Sequence, residues 1–210
     1  MQSPDNITLY RHDLRDKILH VASDMFLKRG IRQVRMDDIA KELSISKRTL
    51  YEIYEDKEHL LLDVIKNRKE EHDKSLSELM QGNADAMEII LKFYHIQMKE
   101  FSSVNSQFFS DLTMYDDIVD YWRAERQKNA DGRQKFIQKA IDEGFFIRDV
   151  NYNFIFRIME AMSDYIIAND LYKEYGLKTV FHNFIMIFLR GICTPKGMKR
   201  FDELMLNINN

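Results

Sequence analysis

Glycine and proline are scarce in this chain. Its 210 residues include 7 Gly and 2 Pro, and both prolines, Pro4 and Pro195, stand close to the ends. Between them little forces the backbone out of a helix, since an interior Pro costs about 3 kcal/mol and a Gly about 1 kcal/mol relative to Ala. An all-α chain is expected. The single cysteine, Cys193, excludes an internal disulfide and suits a reducing compartment. It reads as a small apolar residue near a helix end rather than a redox sensor. Long apolar runs are also lacking. The richest, residues 180–189, is interrupted by His182 and Asn183 and falls well short of the roughly 20 residues a bilayer requires. The opening MQSPDNITLYRHD carries no secretory leader pattern. These features place the chain in the cytoplasm, with no membrane partner.

Catalytic signatures are missing as well. His12, His20, His59, His72, His95 and His182 are scattered, with neither an HExxH pair nor a cysteine nearby to complete a zinc set. No GxSxG elbow or phosphate-cradling glycine loop is present. Glu70-Glu71-His72-Asp73 reads as a solvated helix face rather than a metal site. No catalytic residue, metal or cofactor is expected, and the chain is not expected to be an enzyme. Hydrophobic and charged fractions of 45% and 31% are those of a folded globular protein.

The net charge of −3 does not advertise a nucleic-acid binder. Residues 1–60 hold eleven Lys/Arg and eleven Asp/Glu, so their charges cancel. Placement is more telling than the sum. Lys28, Arg29, Arg32 and Arg35 precede residue 36, and Lys47, Arg48 and Lys57 follow it, enough for a local cationic face. A domain of zero net charge predicts weak non-specific binding.

The stretch from Met36 to Lys57 organises the rest. Met36, Ile39, Ala40 and Leu43 follow the i, i+3, i+4, i+7 spacing of a short amphipathic helix. Ser44 breaks the run, and Ser46 stands where an N-cap hydroxyl would accept from the free amides of a second helix. There Leu50 and Tyr54 share one face, while Lys47, Arg48, Thr49 and Tyr51 crowd the first turns. One helix braces and the next presents donors: this is the layout of a helix-turn-helix.

The segment resembles the DNA-binding domain of the tetracycline-repressor (TetR/AcrR) family of bacterial transcription regulators. The matching residues are Ile18, Ala22, Phe26 and Gly30, then Asp38-Ile39-Ala40, Ser46-Lys47 and Thr49-Leu50-Tyr51, and finally Tyr54, Lys57 and Leu60. The resemblance spans about the first quarter to third of the chain. Two positions depart from it. Ser44 occupies a turn site where the family usually has Gly, and Arg35 one where it commonly has a small hydroxyl cap. Lys47 and Arg48 are the candidates for base edges, because Arg can grip guanine O6 and N7. Thr49, Tyr51, Tyr54 and Lys57, with Arg35 more weakly, are candidates for phosphate contacts; Tyr54 has a core reading too, its ring buried and its hydroxyl reaching out.

A lead helix is expected over residues 8–29, after a frayed arm of residues 1–7, with Gly30 as its stop. Asp56 should cap a longer helix that docks Leu60, Leu61, Val64 and Ile65 on the small core and runs on to residues 81–83. The domains expected are 1–57, a three-helix helix-turn-helix domain, and 58–210, a helical domain for effector binding and dimerisation. In the second, residues 84–101 are apolar nearly all round and should be centrally buried. Two further helices, 151–169 and 178–192, carry wider apolar faces than a small domain can cover. They are either internal core or a four-helix dimer interface, and two-half-site DNA reading favours the dimer. A last amphipathic helix should follow from Thr194 to Asn210.

By the resemblance, part of the aromatic and Met excess lines an effector cavity, with Tyr94, His95, Met98, Phe109, Trp122, Phe136, Met159 and Met162 as candidates. For each of them plain core is the competing reading. The function expected is that of a homodimeric repressor on a palindromic operator of double-stranded DNA, released by a small apolar or aromatic effector. The rival is a helical dimeric interaction protein that keeps the fold without effector-controlled DNA binding.

Overall fold

A computed structural model describes residues 4–128 and 130–208. Twelve helices follow one another along the described residues, and among these residues there is no strand. The one extended pairing is an isolated antiparallel bridge between Phe146 and Cys193. The fold is all-α, as the shortage of Gly and Pro implied. Two compact units form, one from residues 1–73 with 107–121, the other from 74–106 with 122–210. A single cut at residue 57 therefore does not describe them. The first unit keeps the early turns of α4 (Lys57–Gln81) and also recruits most of α6 (Ser106–Leu112) and the start of α7 (Asp116–Lys128).

In the first unit α1 (Pro4–Arg29) begins earlier than expected: residues 4–7, read as an arm, are helical, whereas residues 1–3 lie outside the described residues. The next two helices, α2 (Met36–Glu42) and α3 (Lys47–Tyr51), have 7 and 5 residues. Helices so short are unstable alone. Tertiary burial holds them: Ile18, Ala22, Phe26, Ile39, Leu50, Leu60 and Leu61 are inaccessible to solvent. Each large side chain so buried contributes about 1.5–3 kcal/mol.

Two positive-φ residues set the turns. Gly30 (φ +85°) stops α1, its N–H bonded to the Phe26 carbonyl at 2.9 Å. A Cβ there would also stand 3.1–3.3 Å from side-chain atoms of Gln107 and Asp111, so α6 can approach because the side chain is missing. Ser44 (φ +54°) ends α2 in a Schellman arrangement, with Ser44 N–H on Lys41 O at 3.1 Å and Ile45 N–H on Ala40 O at 3.0 Å. Serine in this conformation stores about 1 kcal/mol of strain that glycine would not.

The second unit contains α5 (Ala86–Glu100), α8 (Ala130–Asp142), α9 (Tyr152–Ala168), α10 (Leu171–Tyr175), α11 (Leu177–Ile192) and α12 (Pro195–Ile208), besides parts of α4 and α7. Asp85 caps α5 through the Glu88 amide, and Glu88 reciprocates on the Asp85 amide. Arg200 of α12 then binds both carboxylates, at 2.9 and 2.6 Å. Met87, Leu91, Tyr94, Ala140, Phe145, Phe146 and Phe201 build the core. The expectation that residues 84–101 are buried all round is corrected here: Phe93 and Ile96 are about two-fifths exposed, because core packs against one side of α5. The short α10 had no sequence signal of its own between its two strongly apolar neighbours.

The helices expected to hold a dimer together behave unlike the rest. None of the 17 residues of α9 is buried, and α11 buries Leu189 alone. Phe154, Tyr165 and Ile187 are more than three-fifths exposed. Among the described residues no helix is long and apolar enough to cross a membrane.

Candidate DNA-binding surface

The surface is built on α3. Ser46, extended at φ −70° and ψ 148°, accepts the Thr49 N–H on Oγ at 3.1 Å and lies 2.8 Å from the Thr49 hydroxyl. That cap sets where the helix starts. Leu50 then pins one side into the core. At about 100° per residue the positions opposite Leu50 are Arg48 and Glu52, and Tyr51 and then Lys47 follow on the Arg48 side. Tyr51 is 48% exposed and the Arg48 side chain 88%. Lys47, Arg48 and Tyr51 are thus all exposed to solvent.

Each cation has an acidic companion. The Lys47 ammonium pairs with Asp37 of α2, which braces the two helices against each other. Arg48 donates from Nε to Glu52 Oε1 at 2.8 Å, and this bond raises its already high pKa. Thr49 is half-buried with its hydroxyl held by Ser46, so its contribution to the exposed face is small. Arg35 is exposed at the N-cap of α2. Its side chain cannot accept, and Asp38 supplies the missing interaction by taking the Arg35 N–H at 2.9 Å. Asp56 caps α4 as expected, accepting the His59 amide and ring nitrogen, both at 2.9 Å. The backbone bond is the main cause of the lowered Asp56 pKa, and the ring contact raises that of His59.

Two expected phosphate contacts are corrected. Tyr54 is 4% exposed, and its hydroxyl accepts from Arg15 Nε at 3.2 Å while Arg15 also bonds Asp63 at 2.5 Å. The phenol is core, and burial pushes its pKa up. Lys57 turns inward, its ammonium 3.1 Å from the Ile31 carbonyl and 3.2 Å from that of Val34. Burial lowers its pKa. Both residues lock the framework beneath the reading helix, because carbonyls and a guanidinium already sit where their polar atoms end.

Asp111, which no sequence signal marked, completes the lock. It is inaccessible to solvent; Oδ2 accepts the Arg32 N–H at 2.8 Å and Oδ1 accepts from Gln107 Nε2 at 2.9 Å. The turn between α1 and α2 is therefore held by Lys57 on its carbonyls and by Asp111 on its amide. Glu52 also went unmarked, although its i, i+4 spacing from Arg48 was a readable cue.

The effector candidates do not form one group. Tyr94 is buried, hydrogen-bonded through its hydroxyl to His182 Nδ1 at 2.7 Å and stacked on Phe181. Met98 and Phe136 pack against the same core, and Met159 is half-buried. His95 Nε2 is buried with no hydrogen-bond partner. Trp122 is 38% exposed. Phe109 belongs to the first unit, its ring edge-on to Phe108. Met162 alone of the eight borders the apolar groove of about 560 Å³ formed by α9, α10 and α11. Among the described residues no cluster of three or more His, Cys, Asp or Glu could hold a metal.

A capped short helix on a braced three-helix core is a helix-turn-helix. Residues 18–64 match the family described as bacterial regulatory proteins, tetR family. The match covers about a fifth of the chain, and the helix-turn-helix lies inside it. Solved structures similar in fold include a transcriptional regulator from Saccharomonospora viridis in complex with choline (23% identity, 87% of this chain and 99% of that one, TM-score 0.64). Others are a TetR-family regulator from Agrobacterium tumefaciens (15% identity, 88% and 100%, TM-score 0.67) and the fatty acid degradation regulator FadR from Bacillus halodurans (15%, 90% and 96%, TM-score 0.60). No curated protein matches the chain.

Proposed function

We propose that the protein is a homodimeric cytoplasmic repressor that binds a palindromic operator and leaves it when a small apolar or aromatic molecule occupies the second unit. The observation that carries the DNA reading is the joint exposure of Lys47, Arg48 and Tyr51 on a helix whose start Ser46 fixes. Lys47 and Arg48 read base edges, and Tyr51, aided by Arg35, touches phosphate. α9 and α11 support the dimer. Met162, Tyr165, Ile166, Phe184 and Ile187 line an open apolar groove that a second copy presenting the same helices would cover. A stable interface needs roughly 800 Å² per partner, and α9, without a buried residue, has surface to give. His95 supports the effector. Its unpartnered Nε2 beside the Tyr94 ring suits a ligand that is largely apolar with one hydrogen-bonding group. Binding that favours one setting of α4 over another would then change operator affinity.

Selection of bound sites from random duplex DNA tests the reading. The expected result is an enriched inverted repeat, with preference at one base step relaxed in Arg48→Ala. Failure to enrich any inverted repeat refutes it. Ile187→Asp should convert the dimer to monomers in sedimentation and abolish full-site binding; a dimer that survives would remove α9 and α11 from the interface. Apolar compounds that bind without altering DNA retention would refute the release mechanism.

A further inference from the structure

We infer that Glu52 is a specificity-determining residue of the reading helix: it holds Arg48 by Nε so that the guanidinium presents its terminal Nη1/Nη2 fork to a guanine. The inference rests on the proposal that α3 enters the major groove. Arg48 and Glu52 lie about 160° and 200° round the helix from the buried Leu50, so they straddle the outermost line of α3. Glu52, the C-cap residue, keeps helical dihedrals (φ −73°, ψ −18°), which preserves the one-turn spacing.

The contact is selective within the guanidinium. Nε donates to Oε1 at 2.8 Å, and neither terminal nitrogen has a partner among the described residues. That leaves the end-on fork, two parallel N–H groups in a fixed plane, whose spacing matches guanine O6 and N7. Lys47 is treated differently, its point charge drawn back to Asp37. An ion pair this exposed adds little to folding. An acid at the centre of a face that meets phosphates also weakens binding to every duplex. Its benefit is in discrimination, since an arginine already held in one plane gives up less freedom on meeting the right base and adapts poorly to a wrong one.

The test uses the full-length protein, first to select a preferred site, then to measure competition binding against every single-base variant of it. Wild type, Glu52→Gln, Glu52→Ala, Arg48→Ala and the double variant Glu52→Ala/Arg48→Ala are compared. Glu52→Ala should lose about tenfold or more in discrimination at one G·C position while its affinity for random duplex rises severalfold. Glu52→Gln, which keeps an acceptor oxygen without the charge, should share the rise but retain most of the discrimination. Arg48→Ala should lose preference at the same position, and the double variant should lose no more than Arg48→Ala alone. The inference is overturned if Glu52→Ala discriminates as wild type does, or if its loss spreads evenly over all positions. Should wild type select no site, the DNA reading itself fails, and that result is separate because it precedes any variant.

Discussion

Replacing Asp111 probes how the turn beneath the reading helix is held. The carboxylate is fully buried and takes two hydrogen bonds, from the Arg32 amide at 2.8 Å and from Gln107 at 2.9 Å. Bonds to an ionised acceptor are worth about 1.5–3 kcal/mol each. Two of them set an upper range of about 3–6 kcal/mol, and relief from burying a charge offsets part of it. The Gln107 bond is only part-buried, so its share is discounted further. Asp111→Ala should therefore cost about 2–3 kcal/mol locally. Asp111→Asn keeps a carbonyl for Arg32 and should cost about 1 kcal/mol. A chain with two compact units need not unfold in one step, so a global melting curve would blur the effect. Native-state amide exchange at Arg32 reads it directly: 2–3 kcal/mol corresponds to protection lowered about 30- to 150-fold. Protection unchanged in Asp111→Ala would refute the lock. An equal loss in Asp111→Asn would mean that charge facing Lys57, rather than the hydrogen bonds, holds the turn.

Two further outcomes are expected. Ser44→Gly relieves a left-handed residue at the end of α2 at some cost in unfolded-chain entropy, so it should stabilise the first unit by about 0.5 kcal/mol or less in urea unfolding, whereas Ser44→Val should destabilise it. A drop in stability for the glycine variant would show that the serine side chain outweighs its strain. Cys193 is 8% exposed, and burial pushes its thiol up to about 11. At pH 7.5 about three thiols in ten thousand are ionised, so a disulfide reagent should react only after unfolding. Because the unfolded thiol loses its proton first, stability should decline as pH rises from about 9 towards about 11. Rapid labelling of the folded protein would contradict this.

What could be read in the sequence was whatever short-range chemistry decides. Ser46 and Asp56 cap their helices through amides three residues on, and a backbone amide at that distance is available whatever the tertiary fold. Gly30 is likewise marked by a local conformational need. Between the two readings of Tyr54 the burial favours core, and Lys57 turns inward as well, because residues far along the chain decide where their polar ends go. Arg15 lies 39 positions from Tyr54, and the Ile31 carbonyl 26 from Lys57. Asp111, 79 positions from Arg32, has the same character: nothing within a turn of it hints at a buried carboxylate. The effector set was the least legible, since a Met or aromatic at helical spacing looks identical whether it fills a core, as Phe136 does, or borders a groove, as Met162 does.

The borrowed helix has a practical meaning for anyone building hybrid regulators. Grafting residues 1–73 onto a foreign body would leave behind the carboxylate that grips Arg32 and the Gln107 side chain that seats against Gly30. Such a chimera would carry every base-reading side chain and still hold them on a slackened frame. A faithful transplant has to bring residues 107–121 along, stitched in from the middle of the donor gene.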